Sequence, residues 1–569
     1  MPDKLSTYRQ AATPLPDTQR LFPLYGAGLE NLGVDGKPIE APVLDCGPDS
    51  LVIRHDACGL CFSDIKVISQ GEQHPRIQRD MRKEPVVLGH EVSMTIMAVG
   101  ESLCHQYHIG QRITLQTDIV FKGKAMAYGY LIQGGLSQYS VIDERVLNSD
   151  QGNFLIPLEP TVGYAEAALA EPWACVLAAY RLKYRTGIKA GGTTWIIGAG
   201  EDKPYTIGAG FDAASHPHRL LLTDAPAGFE RWLRGCAAEL GVEVIDVPDV
   251  TALPQEFVDD IILLGADADL IEKVSPRLAM FGVFCIMADR PLPRKVSIDV
   301  GRVHYHRWVY VGSTGNDIAE AYSRVPVRSA LKPSGRAWFV GAGGPMGRMH
   351  VQRAIQFTDA PCLMLCTDVT ADRLEDLYQS FKDEAISKGI EFVCLNPAVP
   401  ADAARIAEYQ REDFDDIIVT APVPAVISEA ATHLGKEGVM NVFAGLARGS
   451  MVSLDMSDTY LKDTRIIGHS ASEYSDMQET VYRATTGELA TNRSVAAVGS
   501  LSAARDGYQA VKDMEFSGKV VIYPQIKEFP LTALPDLKDR LPSVYALLKD
   551  GKEWTNAAEE EFLRLMLPD

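Results

Sequence analysis

Basic residues are in short supply. Against 75 Asp and Glu stand 55 Lys and Arg, a formal net charge of −20, which argues against nucleic acid or an anionic membrane as a general partner. Long apolar runs are missing too. Stretches such as Phe281 to Ala288 fall well short of the roughly 20 residues a membrane span needs. The opening MPDKLSTYRQAATPLPD has no apolar core of a secretory signal, so none is expected. Ten cysteines scattered over 569 residues make no small disulfide framework and suit a reducing compartment, so a cytoplasmic protein is expected. What remains is an ordinary globular composition, 46% apolar and 23% charged, in a chain long enough for two to four domains.

The chain changes character along its length. Residues 1 to about 45 are rich in Pro and Gly and read as extended segments with turns. Short Gly-punctuated strands follow: Leu51 to Arg54, Pro85 to Leu88, Val92 to Gly100, Gly110 to Gln116 and one starting near Gly134. They suggest a barrel-like β domain. Ala165 to Tyr180 is Ala-rich and helix-favouring apart from Pro172. Strand and helix then alternate: Thr193 to Ile197 before Gly198-Ala199-Gly200, Leu220 to Asp224, Asp260 to Leu264, Val283 to Met287, and Trp308 to Val311. That alternation predicts a parallel sheet covered by helices. The pattern then recurs from Ala337. The offset is 143 residues at the glycines (198 to 341), 144 at the aspartates (224 to 368), and 156 further on (260 to 416 and 312 to 468). A whole nucleotide-binding-type domain is duplicated, with one insertion after Asp368. Beyond about 475 a helix over Ser502 to Met514, a strand over Gly518 to Tyr523 and a charged helical tail, read as a surface element, complete the chain.

The densest chemistry lies early. Cys58-Gly59-Leu60-Cys61-Phe62-Ser63-Asp64 and Gly89-His90-Glu91 bring thiol, imidazole, carboxylates and hydroxyl together, and Glu171 in Leu169-Ala170-Glu171-Pro172-Trp173 adds a distant carboxylate. Zn²⁺ favours such a mix of S, N and O donors. A Cys-x-x-Cys pair alone reads equally well as a redox motif or two core thiols; the redox reading lacks the thioredoxin-like unit it requires, and the constellation is more specific than its parts.

These motifs, with Gly134-Gly135-Leu136-Ser137-Gln138-Tyr139, resemble the zinc-dependent medium-chain alcohol and polyol dehydrogenases, in the sorbitol-dehydrogenase-like branch. The resemblance covers nearly the whole chain and departs in having two Rossmann units. It implies an α/β protein: a GroES-like β-rich catalytic domain (1–185), a degenerate Rossmann-like domain (186–327), an NAD-binding Rossmann domain (328–475), and a return to the catalytic domain with a helical tail (476–569). By position Cys61, not Cys58, matches the zinc cysteine and His90 the zinc histidine. Glu91 and Glu171 share or exchange the remaining protein position. Asp64 matches the acid that orients the histidine, and Ser63 the hydroxyl that begins proton relay. An open metal position would take the substrate oxygen. Relatives carry a structural zinc on four cysteines; from Glu101 to Gln133 there is only Cys104, with His105 and His108, so a single catalytic zinc is expected.

The second glycine loop, Gly341-Ala342-Gly343-Gly344-Pro345-Met346-Gly347, follows a strand and precedes a helix expected over Met349 to Phe357, with Asp368 beyond. Reading Ala342, Gly344 and Gly347 as the motif restores the family spacing, and Asp368 favours NAD over NADP, with nearby Arg373 acting the other way. In the first copy Glu201, Asp202 and Pro204 follow the glycines. They would repel pyrophosphate and remove a backbone donor, so a structural pseudo-domain is expected. His74, Arg76 and Arg448 are candidates to face an anionic or phosphorylated sugar, or are ordinary surface loops. The expected activity is hydride transfer between NAD and a secondary hydroxyl or carbonyl of a polyol, sugar or sugar derivative, in a homo-oligomer, dimer or tetramer. The rivals are a metal-free reductase on the same fold and a non-catalytic nucleotide sensor or scaffold.

Overall fold

Nine consecutive buried residues, Leu51–Gly59, form the central strand of an eight-stranded sheet. Leu51, Val52 and Ile53 favour the pleat, and the buried Arg54, His55 and Asp56 that follow are each hydrogen-bonded. Three strands pair with it: Glu91–Val99, Tyr139–Ile142 and, from the far end of the chain, Lys519–Tyr523. Val495–Ser500 lies outside Lys519–Tyr523 and parallel to it. The C-terminal return is therefore built into the first domain's sheet. In the computed structural model, which describes residues 4–568, this sheet belongs to a unit of residues up to 177, 344–349, and from 472 onward; residues 178–343 and 350–471 form a second unit.

Two readings of the first unit need correction. The amino terminus is not wholly extended. Lys4–Arg9 is a helix, and its Tyr8 donates to the buried Asp56 carboxylate (2.7 Å), which also pairs with Arg54. Nor is the C-terminal tail a surface element. The helix Asn556–Met566 buries Phe562 and Leu563, Trp554 is buried beside it, and Glu559 accepts from the backbone N–H of Ala165 (2.7 Å), at the start of the helix Tyr164–Ala168. The Ala558 to Phe562 spacing places both on one helical face, with Glu559 buried beside them, while Glu560 is exposed on the outside.

The second unit holds two six-stranded parallel sheets of one topology. In the first the order is Glu243–Asp246, Arg219–Thr223, Thr193–Gly198, Val258–Leu264, Leu278–Met287, Val309–Ser313. In the second it is Glu391–Leu395, Leu363–Thr367, Arg336–Val340, Phe414–Val419, Leu434–Val442, Arg465–Ile467. Both are doubly wound α/β sheets of Rossmann type. Even the register irregularities coincide, at Val258/Asp260 and Phe414/Asp416, as do two left-handed residues, Phe281 (φ 61°) and Glu437 (φ 58°). The insertion after Asp368 includes the helix Pro400–Tyr409, which has no counterpart between Glu243–Asp246 and Val258–Leu264.

The copies also pair with each other. Val296–Asp299 and its equivalent Met451–Leu454 run antiparallel, with Val296 opposite Leu454 and Ile298 opposite Val452. Exchanging the copies maps each of these pairs onto the other, the self-complementary relation of a two-fold dimer interface, here within one chain. One apolar cluster runs through both, including Trp195, Val296 and Ile298 from the first copy and Trp338, Val452 and Leu454 from the second.

The first copy differs in a second connection. The expected alternation fails between Thr193–Gly198 and Arg219–Thr223, where the chain forms no helix. Tyr205, Ile207 and Phe211 are buried there and join the cluster of Phe229 and Leu233. A coil with three apolar anchors covers this part of the core without a helix.

Candidate active site

Register assembles the site. Gly59 is opposite Glu91 on one side and Val521 on the other. Lys519, two residues before Val521, therefore shares its face and reaches across Gly59: its Nζ lies 2.5 Å from Glu91 Oε1, both side chains being buried. The glycine is required, because a Cβ there would stand 2.1 Å from Glu91 Oε2. Burial opposes the Lys519 charge, but the Glu91 carboxylate outweighs it and holds the ammonium above its ordinary range.

The helix Phe62–Gln70 begins where this strand ends. Cys61 is its N-cap, and Asp64, three residues on, turns back with Oδ2 3.4 Å from the Cys61 N–H. Asp64 is fully buried and fully used. Its Oδ1 lies 3.1 Å from His90 Nδ1, and its Oδ2 accepts from the Tyr508 hydroxyl at 3.0 Å. With the Nδ1 proton given to Asp64, His90 presents Nε2, 3.4 Å from Ser63 Oγ. Ser63 is also near enough to the phenol of buried Tyr130 to hold its pKa down a little against the rise that burial causes.

Ligand atoms of Cys61, His90 and Glu91 lie within 4.8 Å of one another, the one such group of three or more His, Cys, Asp or Glu among the described residues. Glu91 Oε2 is buried and has no hydrogen-bond partner. An unpaired carboxylate oxygen in a dry site costs free energy unless a cation satisfies it. With a soft thiolate and an imidazole alongside, the residues fit Zn²⁺.

Glu171, on the helix Ala170–Ala179, stands outside that group. It is nevertheless electrostatically part of the neighbourhood. Burial lifts its pKa to about 7; His90 and Lys519 pull it down, while Glu91 and Asp118 push it up. One turn on, Cys175 Sγ is 3.8 Å from Glu171 Oε1. Cys58 points away from metal chemistry: it is buried, its Sγ lies 3.5 Å from the Gly59 carbonyl oxygen, and burial holds the thiol well above its ordinary range. Cys104 is exposed, 3.5 Å from the Gly100 carbonyl. Sequence reasoning passed over Lys519, Tyr508, Tyr130 and Cys175. Only Cys175 carried a local signal, its helical i, i+4 spacing from Glu171.

In the second nucleotide-type copy the helix starts at Pro345 and runs to Gln356, four residues earlier than expected from Met349. Proline at the first helical position lacks only an N–H that the helix would leave unused. Gly341 has φ +82°, and the N–H groups of Gly341 and Ala342 both donate to the Thr367 carbonyl. Gly343 N–H donates to Asp368 Oδ2 at 3.0 Å, and a Cβ on Gly343 would stand 2.9 Å from Arg373 Cβ. Gly343, Asp368 and Arg373 thus converge. In the first copy the corresponding loop is occupied by its own charges: Glu201 lies 3.5 Å from Lys203 and 3.3 Å from Arg290, and Lys203 lies 2.6 Å from Asp289. Without a helix after Gly200 it offers no helix N-terminus to a phosphate.

Residues 47–149 match the alcohol dehydrogenase GroES-like domain. The uncharacterized protein YggP of Escherichia coli (strain K12) is 23% identical over 86% of this chain and 84% of its own. The mannitol-1-phosphate 5-dehydrogenase of Aliivibrio fischeri (strain ATCC 700601 / ES114) is 22% identical over 90% of this chain and 92% of its own. Among solved structures, the 2R,3R-butanediol dehydrogenase of Bacillus subtilis shares the fold, with a TM-score of 0.50 at 13% identity, covering 89% of this chain and 99% of that one. Residues 47–149 thus form an alcohol dehydrogenase GroES-like domain, and along most of its length the chain is similar, at 22–23% identity, to proteins that include a polyol-phosphate dehydrogenase, with two Rossmann-type sheets in place of one.

Proposed function

We propose that the protein is a zinc- and NAD-dependent dehydrogenase that interconverts a secondary hydroxyl and a carbonyl on a polyol, sugar or sugar derivative. The observation that carries this reading is the buried, unpartnered Glu91 Oε2 beside Cys61 Sγ and the His90 imidazole. The same group argues against a metal-free reductase. Cys61 and His90 would hold one zinc with Glu91, and Glu171 would exchange with Glu91; no second, structural zinc is proposed. When bound, the metal supplies Lewis acidity that lets an alcohol ionise near neutral pH, and nicotinamide accepts the hydride.

The chain's own residues do the rest. Asp64, held by Tyr508, fixes the His90 ring and tautomer. Lys519 neutralises one Glu91 oxygen and leaves the other available. Ser63 Oγ, 3.4 Å from His90 Nε2, receives the substrate proton and passes it outward. Gly341, Ala342, Gly343 and Gly344 admit a dinucleotide backbone, Pro345, Met346 and Gly347 open the helix toward its pyrophosphate, and the Asp368 carboxylate takes the ribose hydroxyls and repels a 2′-phosphate. Arg373 lies close enough to weaken that discrimination.

Assembly as a dimer or tetramer belongs to the same reading, through surfaces other than Val296–Asp299 and Met451–Leu454, which already pair within the chain. So does a cytoplasmic location: all ten cysteines are free, and among the described residues no helix is long and apolar enough to cross a membrane. The test is zinc content and NADH formation on a polyol panel for wild type and Cys61→Ala. Loss of both in the variant is expected. Unchanged zinc and activity would refute the metal assignment.

A further inference from the structure

Beside the metal residues the first unit carries a cluster of cationic and imidazole side chains that the reaction itself does not use. Three groups converge on the buried Tyr130 ring. The His90 ring lies 5.8 Å from it, the His74 ring 6.0 Å, and the Arg76 guanidinium carbon 5.9 Å. The guanidinium and the metal-side imidazole are therefore no more than about 12 Å apart, by the sum of two contacts to one centroid. Arg79 adds a second guanidinium, its Nη2 donating 2.6 Å to the carbonyl of Leu131, the residue after Tyr130. The segment is held rather than loose. Arg76 Nη1 lies 2.7 Å from Asp118, and its backbone N–H is 3.3 Å from His74 Nδ1. Asp118 is itself near enough to bear on Glu171.

We propose that Arg76 and Arg79, with His74, are the rim that binds a terminal phosphate, and that the substrate is the phosphate monoester of a polyol or of its ketose. The inference rests on the dehydrogenase reading of the adjacent site. Three features support it. Arginine matches phosphate geometry with paired N–H donors, and a charge-assisted pair of this kind is stronger than a neutral one. The upper bound of about 12 Å is within the reach of an extended five- or six-carbon chain with its reacting hydroxyl at the His90 end and its phosphate at the Arg76 end. Asp118 is a single carboxylate, and a phosphate monoester carries more charge, so the ester competes for Arg76 or shares it with Asp118.

Calorimetry on the zinc-loaded protein tests the subsite without relying on turnover. D-mannitol 1-phosphate and D-glucitol 6-phosphate are compared with D-mannitol and D-glucitol, and NADH formation is recorded separately on the same four compounds. Phosphate esters binding at least about tenfold more tightly than the plain polyols are expected, with most of that preference lost in Arg76→Gln, lost in part in Arg79→Gln, and retained in part in Arg76→Lys. Equal binding of esters and plain polyols, or a preference unaltered in Arg76→Gln, overturns the subsite while leaving the dehydrogenase reading standing. Arginine-dependent ester binding with no NADH from any of the four supports the subsite and counts against the dehydrogenase reading. Should Arg76→Gln fail to fold, competition of inorganic phosphate with the esters on wild type decides: competition supports the rim, and none overturns it.

Discussion

At the N-terminal ends of their strands the two copies in the second unit are nearly interchangeable. Arg185 pairs with Asp260 as Arg328 pairs with Asp416. Lys189 lies 2.5 Å from Asp259, and Lys332 2.6 Å from Asp415. Deeper in each sheet, Trp195 Nε1 donates to Thr223 and Trp338 Nε1 to Thr367, at 3.0 and 2.9 Å. At the opposite ends, where open α/β sheets bind ligands, the copies part. Both keep the glycine and the aspartate, Gly200 with Asp224 and Gly343 with Asp368, but one goes on with Gly344 and a helix, the other with Glu201, Pro204 and a coil. Contacts that hold a sheet together persisted in both copies, whereas those suited to a dinucleotide persist in one. The self-complementary pairing of Val296–Asp299 with Met451–Leu454 gives the altered copy a reason to persist: it covers a face that the other would expose.

The sharpest way to break this comparison is to move one feature across it. Gly344 is the positional equivalent of Glu201. Gly344→Glu places a carboxylate where a pyrophosphate would sit, and NAD affinity is expected to fall at least about 100-fold, some 2.8 kcal/mol, with the melting temperature little changed. Next in size, Asp368→Ala is expected to weaken NAD roughly 10- to 100-fold by fluorescence titration, the loss of hydrogen bonds to a charged group, while Asp224→Ala leaves affinity as it is. The shared end makes the opposite prediction. Asp260→Asn and Asp416→Asn are expected to lower unfolding stability similarly, by about 2–3 kcal/mol in denaturant melts, discounted because Arg185 and Arg328 are partly exposed. The smallest effect is for Trp195→Phe and Trp338→Phe, about 1 kcal/mol each for one buried hydrogen bond, with NAD affinity unaffected. A large inequality within either of the last two pairs would show that the copies are less alike than their contacts.

Much of this was legible in the chain. Buried-type strands and the 143- to 156-residue offsets revealed the duplication because parallel strands, covered on both faces, read as continuous apolar runs. Cys61, His90 and Glu91 stood out because they fall within one local stretch. Lys519 and Tyr508 did not, since they meet Glu91 and Asp64 across 428 and 444 residues, and nothing local to either signals that meeting. The acids and proline of the first glycine loop pointed to a lost phosphate site, but not to the lost helix. Tyr205, Ile207 and Phe211 are interspersed with Pro204, Gly208 and Gly210, make no sustained helical stripe, and reveal their role only on the sheet. The tail misled because its three consecutive glutamates, Glu559 to Glu561, read as a solvated face although Glu559 is buried.

The number of dinucleotide sites per chain tests the comparison most directly. Calorimetric titration of NAD into wild type and Asp224→Ala should give one site per chain in both, with the same affinity. Two sites per chain, or a site lost with Asp224, would contradict the assignment of nucleotide binding to the second copy alone.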